Sequence, residues 1–192
     1  RAKSALEQSI KLQARVPRIF RNELLAVLSK DVLRNLMASP CLEFIQLLLE
    51  HSLLDVNQAN SEGQTPWHMS IRYGDLKLCK LLLMHGKAEI NSATISDQRT
   101  ALHLAALFGH IHILQWLLFD LAKELPKDAE LPKVNAKDHW QHTPLSLALV
   151  TRYPVPDTQR KVIELLLKAK PDLSLTYEKE EGNTALHLAL HY

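Results

Sequence analysis

Apolar residues recur three and four positions apart along almost the whole chain, while runs of Val, Ile, Thr and Tyr that would favour strands are scarce. That spacing puts leucines on one face of a helix, so the pattern predicts an all-α protein. Four apolar blocks stand out: Leu47-Leu48-Leu49, Leu81-Leu82-Leu83, Trp116-Leu117-Leu118 and Leu165-Leu166-Leu167. Sixteen positions ahead of the middle two lies a threonine, Thr65 or Thr100, and nine positions after each threonine stands a glycine, Gly74 or Gly109. Each unit therefore reads as a capped first helix, a glycine turn and a Leu-rich second helix.

The unit repeats. The segments TPWHMSIRYG (65–74), TALHLAALFG (100–109), TPLSLALVTR (143–152) and TALHLALHY (184–192) align on their threonines, which are 35, 43 and 41 residues apart (100 − 65, 143 − 100, 184 − 143). The five glycines all occupy turn positions of this pattern. A degenerate first unit follows by stepping back from Leu47 to Asp31, which caps a helix as threonine does. The longer spacings hold two inserted, proline-bearing stretches, residues 120–133 and 152–158, expected to be surface loops that tune selectivity.

With threonine, histidine, glycine and Leu block recurring in order, residues 31–192 resemble the ankyrin repeat family. The resemblance implies an all-α solenoid of helix-turn-helix units with β-hairpin or loop fingers. It gives about five repeats, the first degenerate and the last cut after its opening helix. Residues 1–30 hold an S-A-L-E capping box at Ser4 and a helix-opening Pro17, and are read as N-terminal capping or linker helices. The irregular spacing is also similar in style to ankyrin proteins that bacteria deliver into host cells.

Composition narrows the function classes. The chain has 192 residues, 46% hydrophobic and 23% charged, as a folded domain or short array requires. Its net charge of +2 divides into +5 over residues 1–40 (8 basic, 3 acidic) and −3 over the remainder (15 basic, 18 acidic), so the repeat body is a poor nucleic-acid surface. No apolar run approaches the ~18 residues that span a bilayer, and no secretory leader is visible. Cys41 and Cys79 lie in helical patterns without a C-x-x-C partner, which fits a reducing, intracellular setting, cytoplasmic or nuclear, better than a disulfide scaffold. The chain opens at Arg1 without an initiator methionine and is read as a piece of a longer protein.

Ten histidines invite metal or acid–base chemistry. The pairs His110-x-His112 and His139-x-x-His142 lack an acidic or thiolate third ligand nearby, and no nucleophile elbow, P-loop or dinucleotide fingerprint occurs, so neither metal, cofactor nor catalysis is expected. His68, His103 and His187 stand three after the anchor threonines, where the resemblance implies a structural role. Trp67 and Trp116 fall on core positions; Trp140 falls on a finger.

The resemblance further implies a non-catalytic module that binds a protein partner on its concave face, as a monomer and without nucleic acid or membrane. Position by position, the candidate contacts are Arg72, Tyr73, Asp97, Arg99, Leu107, Phe108, His139, Trp140, His142, Glu180, Glu181 and Tyr192. Tyr73, Leu107, Phe108 and Trp140 are expected to form one apolar anchor patch with a charged rim. Asn57 and Asn91, in D-V-N and E-I-N, match positions at which ankyrin repeats are hydroxylated. The rival reading makes the chain the targeting arm of a larger enzyme or of a secreted bacterial effector, with catalysis outside these residues.

Overall fold

A computed structural model describes residues 42–50, 55–60, 62–175 and 183–191. The capping helices expected over residues 1–30, the anchor Asp31, and Glu180, Glu181 and Tyr192 lie outside them. The chain divides at Asp55 into two units. In the first, α1 (Leu42–Glu50) buries Ile45, and its Gln46 amide donates to Glu50 at 3.0 Å.

The second unit, from Val56, carries the repeats that open at Thr65, Thr100, Thr143 and Thr184. Its helix pairs are α2 (Pro66–Tyr73) with α3 (Leu76–Met84), α4 (Ala101–Leu107) with α5 (Ile111–Gln115), and α7 (Pro144–Val150) with α8 (Pro156–Lys168). A single π-turn (Trp116–Asp120) joins α5 to α6 (Leu121–Glu124), and α9 (Ala185–His191) opens the next pair. The first helices form an inner row, α2 on α4 on α7 on α9, and α5 packs on α8 behind it. The all-α solenoid expected from the leucine spacing is the fold, and among the described residues the fingers are turns without a strand.

Each helix start is fixed by residues three apart. The Thr65 backbone N–H and hydroxyl lie 3.2 and 2.9 Å from His68 Nδ1, and Thr100 repeats both contacts with His103. The far ring nitrogen then reaches the next repeat: His68 Nε2 donates to the Ser92 carbonyl at 3.0 Å and His103 Nε2 to the His142 carbonyl at 2.9 Å. A carbonyl only accepts, so the proton sits on Nε2 and leaves Nδ1 free to receive the threonine N–H. The histidine thus caps one helix and stitches it to the following finger. Ser146, at the same place in the fourth repeat, accepts from Thr143 N–H at 2.8 Å, a bond within its own repeat.

A second ladder is made by asparagines. Asn57 Oδ1 accepts from Glu89 N–H at 3.0 Å, Asn91 Oδ1 from Lys133 N–H at 2.9 Å, and Asn135 Oδ1 from Asp172 N–H at 3.0 Å. Asn91 also donates to the Leu131 carbonyl at 2.9 Å. Each asparagine therefore holds the corresponding loop of the next repeat.

Both insertions keep the exposed loop expected of them, at residues 125–133 and 152–155, but each also has a part that packs against the body. Residues 120–124 continue the second helix, because the π-turn adds one residue to the winding and brings Leu121 into the core along with Trp116 and Leu117. Residues 152–155 fold back onto the preceding repeat: the Tyr153 hydroxyl donates to the Ala106 carbonyl at 2.5 Å, and α8 begins already at Pro156, a position where a missing N–H costs nothing. Burial pushes the Tyr153 phenol up to about 12. Gly109 makes room for this plug. Its φ is +68°, and a Cβ there would stand 2.6 Å from Thr158 Cγ2 and 3.1 Å from the Tyr153 ring.

Trp67 and Trp116 are both buried and meet edge to face at 6.4 Å between ring centroids. Such a pair contributes ~1 kcal/mol beyond the area it removes from water.

Candidate protein-binding face

The helices α2, α4 and α7 are buried along nearly their whole length, so what they offer to a partner is their ends. At the amino end stand the fingers. Side chains five or six positions before each threonine organise them: Asn60 Oδ1 accepts from the N–H groups of Glu62 and Gln64, Asp138 Oδ1 from those of Trp140 and His142, and Thr94 Oγ1 from that of Arg99. Neighbouring fingers are joined by Ile95 N–H to the Gly63 carbonyl at 3.0 Å and His139 N–H to the Asp97 carbonyl at 2.8 Å.

On this base sits an assembly around Arg99. Its guanidinium lies 3.4 Å from Asp97 and 3.5 Å from the fully buried Asp138 carboxylate, and its Cζ is 5.1 Å from the centre of the Trp140 ring. His139 meets Trp140 edge-on at 5.4 Å. Trp140 is nevertheless 50% exposed, and Ile95 on the adjacent finger is 74% exposed. A large aromatic is thus held in place while keeping a free face, at low entropic cost to binding.

At the carboxyl end lies a second cluster. Tyr73 and Phe108 are each 41% exposed, and Leu107 is half-buried. The Arg72 guanidinium stands over the Phe108 ring at 5.6 Å, and His110 stacks beside it at 6.2 Å. The one anchor patch expected from the sequence is therefore two clusters. The seven residues of α4 separate them by about 10 Å. The structure brings together Asp97, Arg99, His139 and Trp140 at one end, and Arg72, Tyr73, Leu107 and Phe108 at the other. His142 belongs to the frame of the first: its carbonyl takes the His103 bond and its ring is half-buried.

The histidine pairs considered for metal have other occupations. His110 Nε2 donates to the Arg72 carbonyl and His112 Nε2 to the Gly74 carbonyl, both at 2.9 Å, filling acceptors left open at the end of α2. Among the described residues no three His, Cys, Asp or Glu side chains converge on a metal-sized site, and no helix is long and apolar enough to cross a membrane. Burial pushes the Cys79 thiol up to about 12, far from a reactive thiolate. Burial likewise holds His68 and His103 below the ordinary histidine value, which keeps both neutral and suited to the two-ended bonding described above.

The family model for ankyrin repeats matches residues 35–138 in three copies, which is more than half of the chain. The chain belongs to the ankyrin repeat family. Beyond the matched stretch, Thr143 bonds to Ser146 and Thr184 to His187, three residues on, as Thr65 and Thr100 do with their histidines. The chain is 32% identical to mouse Rabankyrin-5 over 167 residues, covering 84% of its own length and 13% of that protein. It is 36% identical over 109 residues to the Arabidopsis thaliana E3 ubiquitin-protein ligase XBAT33, covering 54% of itself and 20% of that protein. With the human Notch-regulated ankyrin repeat-containing protein it shares 44% identity over 64 residues, 33% of itself and 54% of that protein. Ankyrin repeats generally mediate protein–protein interaction, and the relatives share that architecture across otherwise different proteins.

Several working residues escaped the reading of the sequence. Asp138 is announced only by the parallel of N-x-x-x-x-T (60–65) with D-x-x-x-x-T (138–143), and Asn135 by V-N in line with D-V-N and E-I-N. Tyr153 carries no sequence signal, because its partner is a backbone carbonyl 47 positions away.

Proposed function

We propose that this ankyrin array is a non-catalytic protein-recognition module, binding a segment of a protein partner along the finger tips and the exposed ends of its inner helices. The observation that carries this reading is Trp140, half exposed yet fixed by Arg99 and His139 on a finger whose base is the buried Asp138. Aromatic anchors beside arginines are the composition that dominates binding energy at protein interfaces. Asp97, Arg99, His139 and Trp140 form one contact cluster, and Arg72, Tyr73, Leu107 and Phe108 the other. Glu180, Glu181 and Tyr192, outside the described residues, are assigned to the contact set by repeat position alone, and His142 supports the first cluster from beneath. The partner is a protein; binding is by the monomer, without cofactor or nucleic acid, and inside the cell.

The chain spans 13% of Rabankyrin-5 and 20% of a ubiquitin ligase. The alternative we propose is that the array is the targeting arm of a larger enzyme or of a secreted bacterial effector, with catalysis outside these residues. Asn57 and Asn91 remain candidates for hydroxylation, although modification requires the bonds of Asn57 to Lys87 and Glu89, and those of Asn91 to Leu131 and Lys133, to open first. An added oxygen mass after co-expression with an asparaginyl hydroxylase checks this.

The test of the recognition reading is affinity capture with mass spectrometry, comparing the native chain with Tyr73→Ala/Trp140→Ala. Both side chains are substantially exposed, so the double variant is expected to melt within a few degrees of the native protein while losing its specific partners. Identical partner lists would remove the reading.

A further inference from the structure

The inner row is almost without charge. Across α2, α4 and α7 the only lysine, arginine, aspartate or glutamate is Arg72. Its guanidinium is laid over the exposed Phe108 ring, and among the described residues it lies within ion-pair distance of no carboxylate. The nearest acid in sequence, Asp75, is engaged in capping α3, accepting from Leu78 N–H at 3.0 Å. The Arg72 guanidinium faces Phe108, on which His110 also stacks while bonding to the Arg72 carbonyl, and Tyr73 follows it in the chain. Arg99 at the finger end has the opposite arrangement, with Asp97 and Asp138 beside it, and there the charge is already answered within the protein.

Two physical consequences point the same way. An unpaired guanidinium placed over a ring keeps its N–H groups for a forked acceptor, the geometry a carboxylate supplies. The exposed Phe108 ring already holds a guanidinium that no carboxylate answers, so an incoming lysine or arginine meets like charge there where it would otherwise find a favourable aromatic face.

We infer that the Arg72–Phe108 platform selects an acidic, apolar peptide segment, with one aspartate or glutamate of the partner paired to Arg72 and an adjacent apolar side chain packed against Tyr73 and Phe108. This rests on the recognition reading above and names the chemistry of the partner. It also assigns the two ends of the inner helices different tasks: Trp140 contributes contact area, whereas Arg72 contributes the choice between acidic and basic sequences.

The test is selection of a randomised linear peptide library on phage against the immobilised chain and against Arg72→Gln. The expected outcome is enrichment of peptides with Asp or Glu next to an apolar residue on the native chain, lost on the variant. For a selected peptide, Arg72→Gln and the acid-to-amide change in the peptide should each weaken binding about tenfold, and together little more than either alone. Arg72 makes no side-chain hydrogen bond in the described fold, so melting temperature should be unchanged. Enriched peptides that are basic or uncharged, or acidic ones indifferent to Arg72→Gln, overturn the inference and leave the recognition reading standing. Failure of both baits to enrich any peptide counts against both.

Discussion

The repeat opening at Thr100 and the one opening at Thr143 begin with the same cap and the same buried leucines, yet hold to their neighbours by different means. In the first, His103 ties Thr100 to the carbonyl of His142 in the following finger. In the second, Ser146 satisfies Thr143 but bonds only within its own repeat, and the glycine expected after α7 is replaced by Arg152. What ties this repeat to its predecessor is Tyr153, which reaches back to the Ala106 carbonyl, and Thr158, which fills the space above Gly109. Capping and stitching are therefore separable jobs. The histidine does both, and where serine does only the first, the inserted loop supplies an attachment in the other direction along the stack.

The comparison can be broken by substitution and acid. His103→Ala, which removes a buried ring and both its bonds, should cost about 3 kcal/mol in urea unfolding. Acid attacks the same device in His68 and His103 together. Their folded-state values lie below the ordinary 6.5, so the unfolded chain takes up protons first; stability is full above about 6.5 and declines as pH falls below it. The slope is at most about 1.4 kcal/mol per pH unit for each histidine. His103→Gln should reduce the slope, and an unchanged slope would refute the assignment. Gly109→Ala forces a side chain into a left-handed backbone beneath Thr158 and should cost about 2 kcal/mol. The smallest effects are those of Ser146→Ala and Tyr153→Phe, each about 1 kcal/mol, one through the cap and the other through the contact to Ala106. A Ser146→Ala loss as large as that of His103→Ala would dissolve the contrast.

Much of this was legible in the chain because it is local. A threonine three before a histidine, a glycine nine after it and a Leu block after that encode cap, turn and core at fixed helical offsets. The same logic placed Trp67 and Trp116 in the core and Trp140 on a finger. The packed parts of the two insertions were not legible for the converse reason. Leu121 looks like the start of a polar loop until a π-turn rotates it inward, and the prolines near Tyr153 conceal that its hydroxyl has a partner one repeat away. The candidate contacts were found one by one, but their division into two clusters, and the contrast between the paired Arg99 and Arg72, depend on distances that no spacing encodes.

The sequence by itself determined the helices, their caps, the repeat and hence the family, because each follows from contacts between residues a few positions apart. Only the tertiary structure decided which asparagines and histidines stitch neighbouring repeats, how the insertions fold, and which of Arg72 and Arg99 has carboxylates beside it. Those outcomes depend on groups about 24 to 47 positions apart being brought within bonding distance, and that happens only when the stack closes.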